Sequence, residues 1–350
     1  MSYFPNLRRW ALLFGILISF VFALVTLTQV VRIYQWGAYA HPILGYLLAG
    51  LLTLSIAGIL IIPWSLIMRL PKALPQPTTE AEYAAYRLQM QKRLLRHRGL
   101  KDAGFTTAEL QTDAGYERAM SHLHQQAHTI LEKTARHTFL VTSISQNGKL
   151  DGLAVLVTQI RMIYQIASIY HQRPPMAELT KLYVNIAGTT LLAAEVDDLD
   201  ITHQVEPLVN AMMKNSATKS IPWAGGIAQT VMDSLLEGTI NAFFTLRVGV
   251  LAQQYCAPSQ PIHRKVLRKN AYKVAAGMLG KLVMKTSGEV VNAILKTLKQ
   301  GGIDTVKGSV QTVTEAAKNV RDAVVTWSKR VTGKAQKELS QHEEEREVED

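Results

Sequence analysis

The sequence predicts an all-α protein: an N-terminal two-helix transmembrane hairpin, then a cytoplasmic helical bundle with amphipathic C-terminal helices. Three observations carry this expectation. Residues Trp10 to Val31 contain no Asp, Glu, Lys or Arg, and a second charge-free run extends from Ile33 to Met68. Beyond residue 70, apolar side chains recur at helical spacing between breaks marked by proline and glycine. Charges return inside the later apolar stretches, where each would cost about 2.5–3.5 kcal/mol at a bilayer centre, so buried bundle helices fit better than spans.

The hairpin occupies residues 1–70. Its first run, WALLFGILISFVFALVTLTQVV, has 22 residues. At about 1.5 Å per residue, a helix of that length reaches about 33 Å and crosses a hydrocarbon core. The second run starts at Pro42, a residue suited to a first helical turn, and is expected to end near Ile62, with Pro63 and Trp64 at the exit and Trp36 at the other interface. A cleaved secretory signal is the competing reading of Arg8, Arg9 and the triplet Ala38, Tyr39, Ala40. The apolar run, however, exceeds the roughly 7–15 residues of a signal core, and a second run follows at once. Arg8, Arg9, Arg69 and Lys72 flank the pair, whereas the connecting turn RIYQWGAYAH carries only Arg32, so both termini are expected in the cytoplasm.

Residues 71–138 read as a proline-rich linker and charged amphipathic helices. Pro71, Pro75 and Pro77 favour an extended spacer. Thr79 and Glu82 form a capping-box pattern that starts a helix, with Tyr83, Leu88 and Leu95 as its packing face. A second helix is expected from Tyr116 to about His137, after the breaks at Gly99, Gly104 and Gly115. His124 and His128 share a face of it, with Glu132 one turn on, a spacing that suits metal ligands. Nothing nearby completes the ligand set, so a solvated face is expected and no metal is assigned.

Residues 139–256 read as a second, more apolar helical domain. Gly225 and Gly226, with Ala224 and Ala228, suit close helix packing. The acidic run Glu195, Asp197, Asp198 and Asp200 lacks the glycine and terminal Glu of a calcium loop, so a solvated loop is expected. Whether Leu153–Tyr170 enters the membrane is left open by its single charge, Arg161. Cys256, the lone cysteine, excludes an intrachain disulfide framework and reads as a small buried hydrophobe.

The stretch SISQNGKLDGLAVLVTQIRMIYQIASIYHQRPPMAELTKLYVNIAGTTLLAAEVDDLD, Ser143 to Asp200, together with SIPWAGGIAQTVMDSLLEGTINAFFTLRVGVLAQQYC, resembles the YcjF-like family of bacterial inner-membrane proteins of unknown function. The resemblance covers about residues 10–256 and is most specific from the Ser-Gln-Asn-Gly motif to Ile-Tyr-His-Gln-Arg-Pro. Trp223 and Ala224 depart from the family's Pro-Gly continuation after Ile221 and Pro222. The resemblance implies a multi-pass protein of the bacterial inner membrane and a cytoplasmic GTPase partner, since such domains occur fused to, or encoded beside, small GTPases. It supplies no catalytic residues.

Residues 257–337 form a basic amphipathic helical tail, and 338–350 an acidic tail expected to be disordered. The stretch 264–300 holds nine Lys or Arg against a single Glu289. Its apolar stripe of Val266, Leu267, Val274, Met278, Leu279, Leu282 and Val283 opposes Lys269, Lys273, Lys281 and Lys285. Two readings stay open, a helix lying on anionic lipid headgroups and a bundle helix with a solvated basic face. The net charge of +11 suits anionic partners, but no nucleic-acid motif or aromatic interleaving accompanies it, so nucleic acid is not expected. A homo-oligomer stays open.

No phosphate-binding loop, H-E-x-x-H, G-x-S-x-G or paired-cysteine pattern occurs, so no catalytic, cofactor-binding or metal-binding residue is assigned and no enzyme is expected. The expected function is a membrane-anchored, non-catalytic scaffold or adaptor docking a cytoplasmic partner. The rival is a transporter or channel component in which Leu153–Tyr170 and Ile221–Leu246 also span, with Arg161, Asp233 and Glu237 facing a polar path.

Overall fold

A computed structural model describes residues 27–28, 30–144, 148–175, 178–179, 182, 225–261, 264–300, 314–315 and 317–333. Among these, every regular element is a helix. The chain divides into two compact units, Met1–Leu66 and Ile67–Asp350.

In the first unit, helix α1 (30–40) meets α2 (Pro42–Arg69) at a reversal confined to His41. Most of the run Trp10–Val31 lies outside the described residues. The segment expected as a ten-residue connecting turn is instead helical up to residue 40. His41 makes this possible: its N–H bonds the Gly37 carbonyl at 3.1 Å, its carbonyl takes the Gly45 N–H at 3.2 Å, and its Nδ1 accepts from Ile43 N at 3.3 Å. Two glycines let the helices touch, since a Cβ on Gly37 would stand 2.7 Å from the Gly45 Cα. The Tyr34 and Tyr46 rings sit 4.9 Å apart across the same contact.

Helix α2 also runs past its expected end, carrying Pro63 and Trp64 within it. Its apolar side chains form a broad outward stripe: Ile43, Leu47, Leu51 and Leu54, 64, 64, 65 and 73% exposed, lie within about 80° of one another around the helix, and exposed Tyr46 and Leu48 flank them on either side. The hydroxyls of Thr53 and Ser55 each bond the carbonyl one turn back at 2.8 Å, so even its polar side chains are satisfied within the helix.

The second unit begins with an extended strap, residues 70–79, and α3 (Glu80–Leu94). Thr79 caps α3 by accepting from Glu82 N, while the Glu82 carboxylate takes both the N–H and the hydroxyl of Thr78 at 2.7 Å. Tyr86, Met90 and Leu94 form the buried stripe of α3, with Tyr83 and Leu95 partly buried beside it. Leu88, expected to pack, is 61% exposed because it falls on the opposite side of that stripe.

After short α4 (Arg98–Asp102) and α5 (Thr107–Leu110), the bundle proper comprises α6 (Asp113–Ile144), α7 (Gly148–Ile169), α8 (Gly225–Cys256), α9 (Arg264–Gln300) and α10 (317–333). Helix α6 extends beyond both expected ends and runs unbroken through residues 138 and 139, where a domain boundary was expected. Helix α8 packs against α6, α7 and α9. Leu131, Phe139, Met162, Phe243, Leu246 and Leu279 are fully buried among them, each worth roughly 1.5–3 kcal/mol of burial. Gly249 brings α8 close: a Cβ there would meet Leu131 at 2.8 Å and Met162 at 3.1 Å.

By length and composition Met232–Cys256 is the one described helix able to cross a membrane, yet 67% of its most apolar window is buried inside the bundle. Helix α10 is held by an aromatic cluster in which Trp327 stands edge-on to Phe243 and Tyr272, at 5.7 and 6.0 Å. Ser328 abuts Gly280, and Thr332 lies nearest Gly277. Helix α10 therefore runs antiparallel to α9, its last turn directed toward the N-terminal half of α9.

Candidate functional site

The densest arrangement of buried polar groups lies where the strap, α3, and the C-terminal ends of α7 and α8 meet. Helix α7 ends in a Schellman motif, with Gln172 N bonding Ala167 O and His171 N bonding Ser168 O, both at 3.1 Å. The left-handed position of this motif, usually glycine, is filled by His171 at φ 48°. Pro174 and Pro175 follow and forbid further helix. The turn drives the Gln172 side chain into the core, where it is fully buried.

The last carbonyls of any helix have no intrahelical partner. At the end of α8 they are met by side chains from three other elements. Gln76 of the strap donates to Tyr255 O at 3.0 Å, Tyr86 of α3 donates to Cys256 O at 3.3 Å, and Gln172 donates to the same Cys256 carbonyl. Arg93 closes the clamp by donating to Gln172 Oε1 and to the strap carbonyl of Lys72, each at 2.8 Å. A backbone bond from Arg173 N to Pro71 O at 3.1 Å runs alongside.

A second layer sits beside it. The Tyr170 hydroxyl lies 2.6 Å from His124 Nδ1, and Gln253 donates to that nitrogen at 3.1 Å. His97 accepts from Leu100 N at Nδ1 and so carries its proton on Nε2, which donates to Ile169 O at 2.8 Å. Burial holds His124 and His97 below the usual histidine range. Burial likewise pushes the Tyr86 and Tyr170 hydroxyls and the Cys256 thiol upward. At neutral pH these groups are uncharged hydrogen-bonding partners, so the arrangement fixes elements in place and offers no ionised nucleophile.

Further along the bundle, Gln159 donates to Thr245 Oγ1 at 2.9 Å while its own Oε1 is buried without a partner. Arg136 of α6 meets both carboxylate oxygens of Glu289 on α9 at 2.6 Å. That pair borders a groove of about 290 Å³, lined also by Glu132, Lys281, Lys285 and Thr286.

The histidines singled out by spacing do not converge. His124 turns inward to Tyr170, while His128 stays exposed beside Glu132 at 3.8 Å. Among the described residues no three His, Cys, Asp or Glu side chains form a metal-binding group. Glu195, Asp197, Asp198, Asp200 and Ala224 lie outside the described residues, whereas Gly225 and Gly226 open α8. Cys256 is fully buried, its thiol 3.4 Å from Gln172 O. Arg161, Asp233 and Glu237 are all exposed.

On α9, Leu267, Met278, Leu279, Leu282 and Val283 are buried in the bundle. Val266 and Val274, assigned by spacing to the same stripe, face outward at 52 and 37% exposure, beside exposed Lys269, Lys281 and Lys285. The clamp residues Tyr86, Arg93 and Gln172 escape sequence reasoning, because their partners are 21 to 170 positions away. The one available signal is that Tyr170 to Arg173 fall in the stretch where the family resemblance is most specific.

Residues 106–282, just over half of the chain, match the family described as Domain of unknown function (DUF697). The chain is similar to a UPF0283 membrane protein of Rhodopseudomonas palustris, 28% identical over 139 residues, which are 40% of this chain and 33% of the relative. It is also similar to UPF0283 membrane proteins of Bradyrhizobium diazoefficiens and Rhizobium leguminosarum bv. trifolii, at 25 and 24% identity over the same length, covering 36 and 34% of those proteins. The aligned stretch thus spans about a third of the length of these curated relatives. No solved structure matches the chain.

Proposed function

The chain belongs to the DUF697 family, and from that premise we propose that it is a membrane-anchored, non-catalytic scaffold or adaptor that holds a helical domain at the bacterial inner membrane and docks a cytoplasmic partner there. The observation that carries this reading is α2, whose leucines and isoleucine present a broad, outward-facing apolar stripe. Such a surface is costly in water, at roughly 25 cal/mol per Å² of apolar area, and neutral in lipid. The relatives' description as membrane proteins points the same way.

In this reading α1 and α2 belong to a two-span hairpin with both termini cytoplasmic. The YcjF-like resemblance supplies the partner class, a small GTPase. The basic face of α9 contacts anionic headgroups as a bundle helix whose lysines point outward, since its apolar stripe is already used in packing.

Two experiments test this. Alkaline extraction of membranes leaves the full chain in the pellet; release into the supernatant overturns the anchor. Affinity capture of the detergent-solubilised chain, in GDP and in a non-hydrolysable GTP analogue, recovers an NTPase; recovery of none in either state overturns the GTPase-docking role. For the transporter rival, single cysteines at Arg161, Asp233 and Glu237 label fully from the cytoplasm if the bundle is aqueous, and protection of all three favours the rival.

A further inference from the structure

One charge sets the depth at which the hairpin can sit. Arg32 is exposed on α1, directly after the charge-free run that starts at Trp10, and no other Asp, Glu, Lys or Arg follows until Arg69 at the end of α2. Eight helical residues, 33–40, separate Arg32 from the reversal at His41, a rise of about 12 Å. With the reversal at the edge of the hydrocarbon, Arg32 would lie about 12 Å inside a core about 30 Å thick, close to its middle, where a guanidinium is costly.

Helix α2 gives the same figure independently. Its 28 residues rise about 42 Å, about 12 Å more than the core. Tilt does not absorb the excess: at the usual tilt of about 20° the helix still projects about 39 Å, and fitting it within the core takes about 44°, outside the roughly 0–40° that spanning helices adopt. With Arg69 at one border and Arg32 at the other, the overrun falls at the reversal, in residues 33–49.

The side chains there suit a headgroup layer. Tyr39 and Trp36 are 97 and 79% exposed, and the Tyr34 and Tyr46 rings pack against each other. Tyrosine and tryptophan place an apolar ring and a polar edge where lipid meets water. The two helix ends also move as one piece, since a Cβ on Gly45 would stand 2.7 Å from the Tyr34 carbonyl oxygen.

We infer that residues 33–49 form a tip seated in the outer-leaflet headgroup layer, with Arg32 at the hydrocarbon border bound to a lipid phosphate and setting the level of the hairpin. A guanidinium suits that role because it offers a phosphate paired donors. The placement rests on the two-span hairpin proposed above.

The test uses the full chain in phosphatidylcholine–phosphatidylglycerol vesicles, with I43C, L47C, L51C or L54C each carrying a bimane label. All four positions are exposed, and the native Cys256 is buried. Quenching is compared between lipid spin-labelled at the headgroup and lipid spin-labelled midway along the acyl chain. The headgroup label dominates at I43C by at least about threefold, the acyl label dominates at L54C, and the order inverts between them. R32L lets the tip sink, so the headgroup-to-acyl ratio at I43C falls at least about threefold, whereas R32K keeps it. Acyl-label dominance at both I43C and L54C overturns the depth assignment and leaves the spanning hairpin standing. An unchanged ratio in R32L, or an equal fall in R32K, overturns the role of Arg32. Quenching of all four positions by aqueous iodide and by neither lipid label overturns the hairpin itself, and the tip with it.

Discussion

Replacing Gln172 by alanine opens the clamp at its centre. The side chain is fully buried and makes three hydrogen bonds, donating to Tyr86 Oη at 3.1 Å and to the Cys256 carbonyl and accepting from Arg93 at 2.8 Å. Tyr86 keeps its bond to Cys256 O, and Arg93 keeps Lys72 O. Two neutral bonds at about 1 kcal/mol each and one charge-assisted bond at about 1.5–3 kcal/mol, less what water returns to half-buried Arg93, give a loss of roughly 2–4 kcal/mol. For a unit of this size that lowers Tm by roughly 5–12 °C. Thermal unfolding of the detergent-solubilised chain, followed by tryptophan fluorescence, measures the loss, and limited proteolysis within residues 70–79 reads release of the strap. The contrasting variant is Gln159→Met, where one amide oxygen already lacks a partner and the replacement costs less than about 1 kcal/mol. Equal losses in the two variants, or unchanged cleavage of the strap in Gln172→Ala, refute the reasoning.

Three further outcomes follow from the same geometry. Burial depresses His124, so above about pH 6.5 both folded and unfolded states hold it neutral; below that the unfolded chain takes up the proton first, and stability falls with pH at up to about 1.4 kcal/mol per unit. His124→Gln reduces the drop in Tm between pH 7.5 and 5.0, His97 retaining part of it, and an unaltered pH slope contradicts the assignment. At Gly238 a new Cβ would stand 2.9 Å from Phe139 O and collide with Ser143, so Gly238→Ala destabilises by roughly 1–3 kcal/mol. Gly288, with open space around it in mid-helix, gains roughly 0.5–1 kcal/mol on the same change, and chemical denaturation compares the two. Cys256 resists thiol reagents until the bundle opens, so its labelling rate tracks global unfolding; fast labelling of the native chain refutes its burial.

Helical class was legible because local signals carry it: the capping box at Thr79, the proline at the head of α2 and the apolar spacing in α9 each act within a few residues. Stripe assignment failed where neighbours decide it. Leu88, Val266 and Val274 have the right spacing, yet the bundle selects adjacent positions as its buried face. The reversal at His41 was misplaced because tyrosine, tryptophan and alanine near a bilayer edge fit a loop as well as a helix, and only the Gly37–Gly45 contact decides between them. The clamp was invisible for a different reason. Gln76, Arg93 and Gln172 are ordinary polar residues in sequence, and their role appears only when α8 presents its unpaired carbonyls to them.

That arrangement bears on how load travels through the molecule. A proline-rich stretch left loose would act as slack, absorbing any pull on its N-terminal side by straightening. Here Pro71 and Gln76 are fastened at the ends of α7 and α8 by one backbone and one side-chain bond, and Lys72 is fastened to Arg93 of α3 by another. A pull on residues 71–76 therefore meets those bonds first and is passed into α3 and the final turns of α7 and α8 as a sideways tug, so the strap moves with the helices that hold it.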